Sequence, residues 1–347
     1  MKPAIITPET ADTALGYVIA EEVRHEGRRA FRKGHRIGEQ DLDLLRQLRA
    51  PVHAVELAPD EVHEDDAAIE LARLIAGEGL ELRPPVQSRV NLNSSRRGLL
   101  RVDADAVIRL NMLPGIAIFT TIDRLPVNPG QNVAGAKITP VAVPRSVLDE
   151  ARAIATALDH PIVTVKPFVP HTVGVLATEG LSDRIRDRFE AAVRAKLEWY
   201  GSRVLRFAYL EDDPDAVAAT MRAMLAEGAD LILTAGGNTI DPLDPTIRAL
   251  PSIDAEVVRL GAPAHPGSMF WFGSTIEGGV PIVNLASCSM YSQATVADLV
   301  LPWVMADEEV TARDLAGIGY GGLLDRDMHF RFPDYAADSD DEPEDGR

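Results

Sequence analysis

The chain has a single cysteine, Cys288, among its 347 residues. An intrachain disulfide is therefore impossible, and a cysteine-based zinc or iron–sulfur centre is not expected. Positive charge is also scarce: 35 Lys and Arg stand against 53 Asp and Glu, a formal net charge of −18. Nucleic-acid phosphates need clustered Lys and Arg, so no nucleic-acid partner is expected. An anionic small ligand is still allowed, because backbone N–H groups at helix starts hold anions without net positive charge. No uninterrupted apolar run reaches the about 18 residues of a membrane span, and Met1 to Pro8 lacks the apolar stretch of a signal peptide. The expectation is a cytoplasmic protein with no membrane contact. Two enzyme signatures are absent too. No Gly-x-x-x-x-Gly-Lys-Ser/Thr occurs, and Ser268 is not in a Gly-x-Ser-x-Gly elbow.

The chain has 46% hydrophobic and 25% charged residues, ordinary for a globular protein and enough for two or three domains, each with a core. Residues 1–58 read as a small β-rich module, with strand patterns at 15–20, 31–37 and 52–57 and helical spacing of Leu42, Leu45 and Leu48. Residues 59–150 read as an α+β module. A helix is expected at 64–77, strand-like runs at 99–107 and 115–125, and a loop at 126–136 where prolines and glycines gather; a helix at 147–158 leads into the next domain. From 160 to 330 strands and helices alternate, the pattern of a mainly parallel sheet covered by helices. Strands are expected at 173–178, 204–210, 231–234 and 280–285. The helix at 182–200 would be closed by Gly201, and that at 213–227 by Gly228. Residues 334–347, with seven acids and one arginine, read as a disordered acidic tail.

The run Leu231-Ile232-Leu233-Thr234 leads straight into Ala235-Gly236-Gly237-Asn238-Thr239-Ile240-Asp241-Pro242-Leu243-Asp244. In an open α/β sheet, ligands bind beyond the carboxyl ends of the strands. Glycines there permit close approach and positive φ. Asn238 and Thr239 add donors, and Asp241 and Asp244 place carboxylates on the same rim, a pattern suited to a phosphate with a divalent metal. The competing reading is a plain strand-to-loop turn whose Asp residues cap a helix.

This segment resembles the molybdopterin-binding domain shared by molybdopterin adenylyltransferases, molybdopterin molybdotransferases, gephyrin and the competence-damage-type proteins. The likeness rests on Gly236-Gly237-Asn238-Thr239 followed by Asp244, on Thr178-Glu179-Gly180, Asp187 and Gly201 upstream, and on Pro266-Gly267 and Gly278-Gly279-Val280-Pro281 downstream. More loosely, residues 15–23 and Phe31-Arg32-Lys33-Gly34-His35 resemble the molybdotransferase type. Where that family has Leu-Pro-Gly-Asn-Pro, this chain has Leu285-Ala286-Ser287-Cys288-Ser289. The resemblance implies a three-layer α/β/α domain with a mainly parallel sheet, preceded by the smaller β-rich and α+β modules. It implies molybdopterin, bare or adenylylated, as ligand or substrate, with molybdate, Mg²⁺, a client molybdoenzyme and homo-oligomerisation. Thr178, Glu179, Gly180, Gly236, Gly237, Asn238, Thr239, Asp241, Pro266, Gly267, Ser268 and Ser287 would bind the ligand. Asp187 and Asp244 would be catalytic, and Asp241 and Asp244 would hold the metal. A non-catalytic molybdopterin carrier or sensor and a nucleotide pyrophosphatase are the alternatives.

Other patterns carry less. Gly317-Ile318-Gly319-Tyr320-Gly321-Gly322 looks like a dinucleotide fingerprint but opens no βαβ unit, so a loop is expected. His63-Glu64-Asp65-Asp66 reads as a helix N-terminus rather than a metal site. His171, His265 and Cys288 read as structural or solvated residues.

Overall fold

Residues 1–178, 180, 182–236, 241–285, 295–324 and 326–335 are described by the computed structural model. They fall into two units: Met1–Asp123 with Val127–Lys166, and Arg124–Pro126 with Pro167–Arg347.

In the first unit, an antiparallel sheet of Lys2–Ile6, Val52–Glu56 and Val18–Ile19 closes over Ile6, Ile19, Phe31, Leu45 and Val52. The expected strand at 15–20 is cut to two residues, and the one near 31–37 lies earlier, at Arg28–Phe31. The turn expected at Gly34 is present, with φ +78°. A second antiparallel sheet joins Ile116–Thr120, Asn132–Ile138, Arg89–Ser94 and Leu80–Leu82. Its central strand occupies half of the expected 126–136 loop. The glycine there, Gly135, leaves room for the Phe119 ring. The expected strand at 99–107 ends at Val102, and helix Ala104–Asn111 follows because Asp103 caps it, accepting the Ala106 N–H at 2.8 Å. Helix Glu64–Ile75 starts as read, with His63 Nδ1 accepting the Asp65 N–H at 3.2 Å.

The second unit is built on six strands: β1 Thr172–Ala177, β2 Arg203–Tyr209, β3 Leu231–Ala235, β4 Ala255–Leu260, β5 Trp271–Thr275 and β6 Pro281–Leu285. Their order in one sheet is β2-β1-β3-β6-β5-β4. β2, β1, β3 and β6 are parallel, while β5 is antiparallel to both β6 and β4. The helices are α1 Asp183–Trp199, α2 Pro214–Ala226, α3 Pro245–Ala249 and α4 Val296–Met305. β1 and β3 are apolar except for Thr172 and Thr234, because helices cover both faces of the sheet. On one face, Leu176, Ile232 and Ile282 meet Val217, Met221 and Met224 of α2. On the other, α1 presents Phe189, Val193 and Leu197 at helical spacing, and the Phe189 ring sits 6.2 Å from Phe207 of β2. Right-handed crossovers explain this division. β1 to β2 moves one way along the sheet and β2 to β3 the other, so α1 and α2 fall on opposite faces. The result is the three-layer α/β/α arrangement.

Two details fix this packing. An added Cβ at Gly174 would lie 2.7 Å from Met224 Sδ and 2.9 Å from Ile232 Cδ1, so the missing side chain admits α2 to the sheet. Gly201 and Gly228 follow α1 and α2 with φ of +76° and +96°, the left-handed geometry that ends a helix. Every residue of α4 is buried, and the helix is apolar but for Asp298 in its first turn. That carboxylate is saturated. It accepts the Thr295 N–H at 3.1 Å and the Thr295 hydroxyl at 3.0 Å, pairs with Lys196 Nζ at 2.5 Å, and accepts the Tyr335 hydroxyl at 3.1 Å. Tyr335, read from sequence as part of the tail, packs its ring 5.9 Å from Trp199.

Candidate functional site

The direction of chain progression reverses between β1 and β3: β1 connects toward β2 at one edge, and β3 leads toward β6, β5 and β4. Such a switch point leaves a crevice beyond the carboxyl ends of two neighbouring strands, the usual place for a ligand in an open α/β sheet. The segments singled out in the sequence converge there. Ala177 is in register with Ala235, and the Thr178 N–H donates to the Ala235 carbonyl at 3.1 Å. Thr178 and Gly236 thus leave adjacent strands side by side, both buried. Gly236 has φ +91°, a conformation that favours glycine. Gly180 follows at the surface, where an added Cβ would meet nothing within 4 Å.

The acidic residues are placed differently. Asp244 is buried and caps α3: its Oδ1 accepts the Thr246 N–H at 2.9 Å, the Ile247 N–H at 3.3 Å and the Thr246 hydroxyl. Asp241 is exposed, and its Oδ1 accepts the Leu243 N–H at 2.8 Å. Both carboxylates therefore shape the rim as backbone acceptors. Among the described residues, no group of three or more His, Cys, Asp or Glu side chains is placed to hold a metal ion. Asp187 lies exposed in the second turn of α1. Beside it, Arg186 stacks 4.5 Å over the Tyr209 ring, and the Tyr209 hydroxyl donates to Glu190 at 3.0 Å. Burial first, and then this bond to Glu190, push the Tyr209 pKa up to about 12.

Pro266, Gly267 and Ser268 also belong to this edge. β4 is parallel to β6 within the sheet, so the 261–270 loop that links β4 to β5 turns at the carboxyl side. Gly267, at φ +113°, packs against the start of α4, where an added Cβ would lie 2.8 Å from Val296 Cγ2. Ser268 is exposed, and its carbonyl accepts the Ala262 N–H at 3.1 Å. The Gly317–Gly322 segment opens no βαβ unit. It braces this loop, the His265 N–H donating to the Gly322 carbonyl and the Leu324 N–H to the His265 carbonyl, each at 2.8 Å. Glu179, Gly237, Asn238, Thr239 and Ser287, with Cys288, lie outside the described residues.

One residue escaped the sequence reading. Asn284, fully buried on β6, donates through Nδ2 to the Gly236 carbonyl at 2.7 Å and toward Thr234 Oγ1 at 3.3 Å. It therefore fixes the peptide from which the glycine loop departs. The signal was available: an amide in the otherwise apolar run Pro281-Ile282-Val283-Asn284-Leu285 must find a partner when both faces of its strand are covered.

Residues 172–306 match the family described as "Probable molybdopterin binding domain". A curated relative, the molybdenum cofactor biosynthesis bifunctional protein of Chlorobaculum tepidum, is 28% identical over 119 residues, which are 31% of this chain. The match spans only 38% of that relative's length. Among solved structures, the molybdopterin biosynthesis enzyme MoaB of Thermus thermophilus is similar at TM-score 0.28 and 20% identity, covering 39% of this chain and 91% of MoaB. The molybdopterin biosynthesis MoeA protein of Pyrococcus horikosii is similar at TM-score 0.30 and 14% identity, covering 74% of this chain and 81% of that one. The β1–β3 switch point and the glycine-bearing end of β3 both lie inside the segment that matches the model of probable molybdopterin-binding domains.

Proposed function

We propose that the chain binds molybdopterin, bare or adenylylated, at the β1–β3 switch point and acts in molybdenum cofactor biosynthesis as a molybdotransferase-like enzyme. The observation that carries this reading is the Thr178–Ala235 hydrogen bond at 3.1 Å, which holds the carboxyl ends of β1 and β3 side by side within the matched segment. The pterin phosphate would lie on backbone N–H groups that follow Thr178 and Gly236, where fixed donors substitute for positive charge. Mg²⁺ commonly reaches a site through one or two carboxylates plus substrate phosphates. Asp241 and Asp244 would serve it in that way, as partners of a phosphate-bound ion. Molybdate transfer would then depend on positioning and charge neutralisation, with Asp187 of α1 as the further candidate acid. Homo-oligomerisation and delivery to a client molybdoenzyme are further parts of this proposal.

Asp244 needs a two-variant test, because it also caps α3. Asp244→Ala removes the cap and should cost about 1 kcal/mol of stability. Asp244→Asn keeps an oxygen acceptor for the α3 N–H groups and removes only the charge. The expected result is wild-type thermal stability for Asp244→Asn, with molybdopterin affinity or molybdate insertion reduced. Wild-type affinity and insertion in Asp244→Asn would remove this residue from the chemistry, and no molybdopterin binding by the wild-type chain would sink the reading itself.

A further inference from the structure

Two buried polar atoms near the crevice lack a partner among the described residues: the Trp271 indole Nε1–H and the Asn284 side-chain Oδ1. Both residues are fully buried. They are also neighbours. Phe272 is in register with Val283 across the antiparallel β5–β6 pair, so Trp271 stands opposite Asn284 one step nearer the carboxyl edge. Trp271 and Ile282 share one core cluster, and side chains alternate along a strand, so Asn284 lies on that same face. The amide orientation is set by its own donors, since Nδ2 is committed to the Gly236 carbonyl at 2.7 Å and that carbonyl can only accept. The indole is also constrained. Its Cζ3 lies 3.5 Å from where a Cβ on Gly273 would stand, which leaves the opposite, pyrrole end of the ring turned away from Gly273.

A polar atom buried without a partner forgoes the hydrogen bonds that water would give it. A donor and an acceptor left open on adjacent strands, next to the amide that holds Gly236, form a complement to a group offering both functions. We propose that Trp271 Nε1–H and Asn284 Oδ1 form one subsite for the amide-like edge of a bicyclic pyrimidinone, the ring N–H donating to Asn284 and the adjacent ring carbonyl accepting from Trp271. The assignment rests on the reading of residues 172–306 as a molybdopterin site, and it names the part of the ligand read by β5 and β6. Burial gives the subsite its selectivity, because a ligand edge without this pairing leaves both protein atoms unsatisfied.

The test uses the full chain with two probes, molybdopterin and the phosphate-free 6-hydroxymethylpterin, followed by calorimetry and by quenching of indole fluorescence. Trp271→Phe keeps an aromatic ring and removes the N–H. It should weaken both probes roughly fivefold, the worth of one neutral hydrogen bond, while inorganic phosphate competes as in the wild type. The smaller ring leaves a cavity in a fully buried core position, so Tm should fall whatever the N–H does, and affinity in the folded variant is the readout. Asn284→Leu should weaken both probes as well, with some loss of Tm from the freed Gly236 carbonyl. Wild-type affinities for both probes in folded Trp271→Phe would overturn the subsite and leave the molybdopterin reading intact. Binding of the free pterin without molybdopterin would uphold the subsite and sink the functional reading, and a wild-type chain that binds neither probe would sink both.

Discussion

Tyr209 shows how one side chain ties stability to pH at the edge of the sheet. Its folded pKa of about 12 lies above the ordinary value of 10. The folded chain therefore keeps a proton that the unfolded chain loses, and the stabilisation, complete below pH 10, is lost as pH rises toward 12. Tyr209→Phe should make the alkaline limb of stability against pH shallower, as thermal melts from pH 8 to pH 11 will show. An unchanged limb would mean that burial of this hydroxyl does not govern its titration. Asn284 and Trp271 belong to the same scale. The sequence displays both, yet only the structure reveals that they stand opposite each other with open polar atoms, because strand register comes from tertiary pairing rather than from local pattern.

At the scale of elements, legibility followed burial. β1 and β3 were readable as strands because their apolar runs are closed by Thr178 and Gly236, and α1 and α2 because their periodic faces stop at Gly201 and Gly228. β4 and β5 were not. Ala255–Leu260 is an edge strand of mixed exposure, and Trp271–Thr275 carries a glycine at its centre where Glu256 of β4 passes close by. The strand Asn132–Ile138 hid behind the upstream prolines, and α4 hid behind Pro302. The candidate loops were legible, but the role of their acids was not: both the capping and the ligand-binding readings suit Asp244 in sequence, and only geometry shows its bonds to the α3 N–H groups. The α2 layer gives a direct prediction. Gly174→Val should force Met224 and Ile232 off the sheet and destabilise by about 1–3 kcal/mol. Urea unfolding will measure it, and a variant as stable as the wild type would mean that α2 can shift to make room.

Across the whole molecule, the excess of acids sets the response to solvent. A net charge of −18 makes the folded chain repel itself, and salt screens that repulsion over a Debye length of about 10 Å at 0.1 M. Raising ionic strength at neutral pH should raise Tm, read by calorimetry from dilute buffer to physiological salt. A fall in Tm would mean that ion pairs such as Arg145–Glu70 and Arg124–Asp314 outweigh the net repulsion. Among the described residues, no helix is long and apolar enough to cross a membrane. Backbone donors at strand ends can hold an anion in an acidic chain as readily as in a basic one.

The mixed direction of the sheet has a practical side. β5 begins at the carboxyl edge and runs away from it, so the turn before β6 lies at the opposite end of the sheet from the crevice. Its Gly278 and Gly279, at φ +81° and +62°, have nothing within 4 Å of an added Cβ. An exposed turn of small residues accepts inserted chain more readily than any packed element. A short epitope or a fluorescent reporter grafted between Gly278 and Gly279 would therefore sit a full strand length from the β1–β3 crevice, giving a handle for immobilising or labelling the protein with the crevice open to solution.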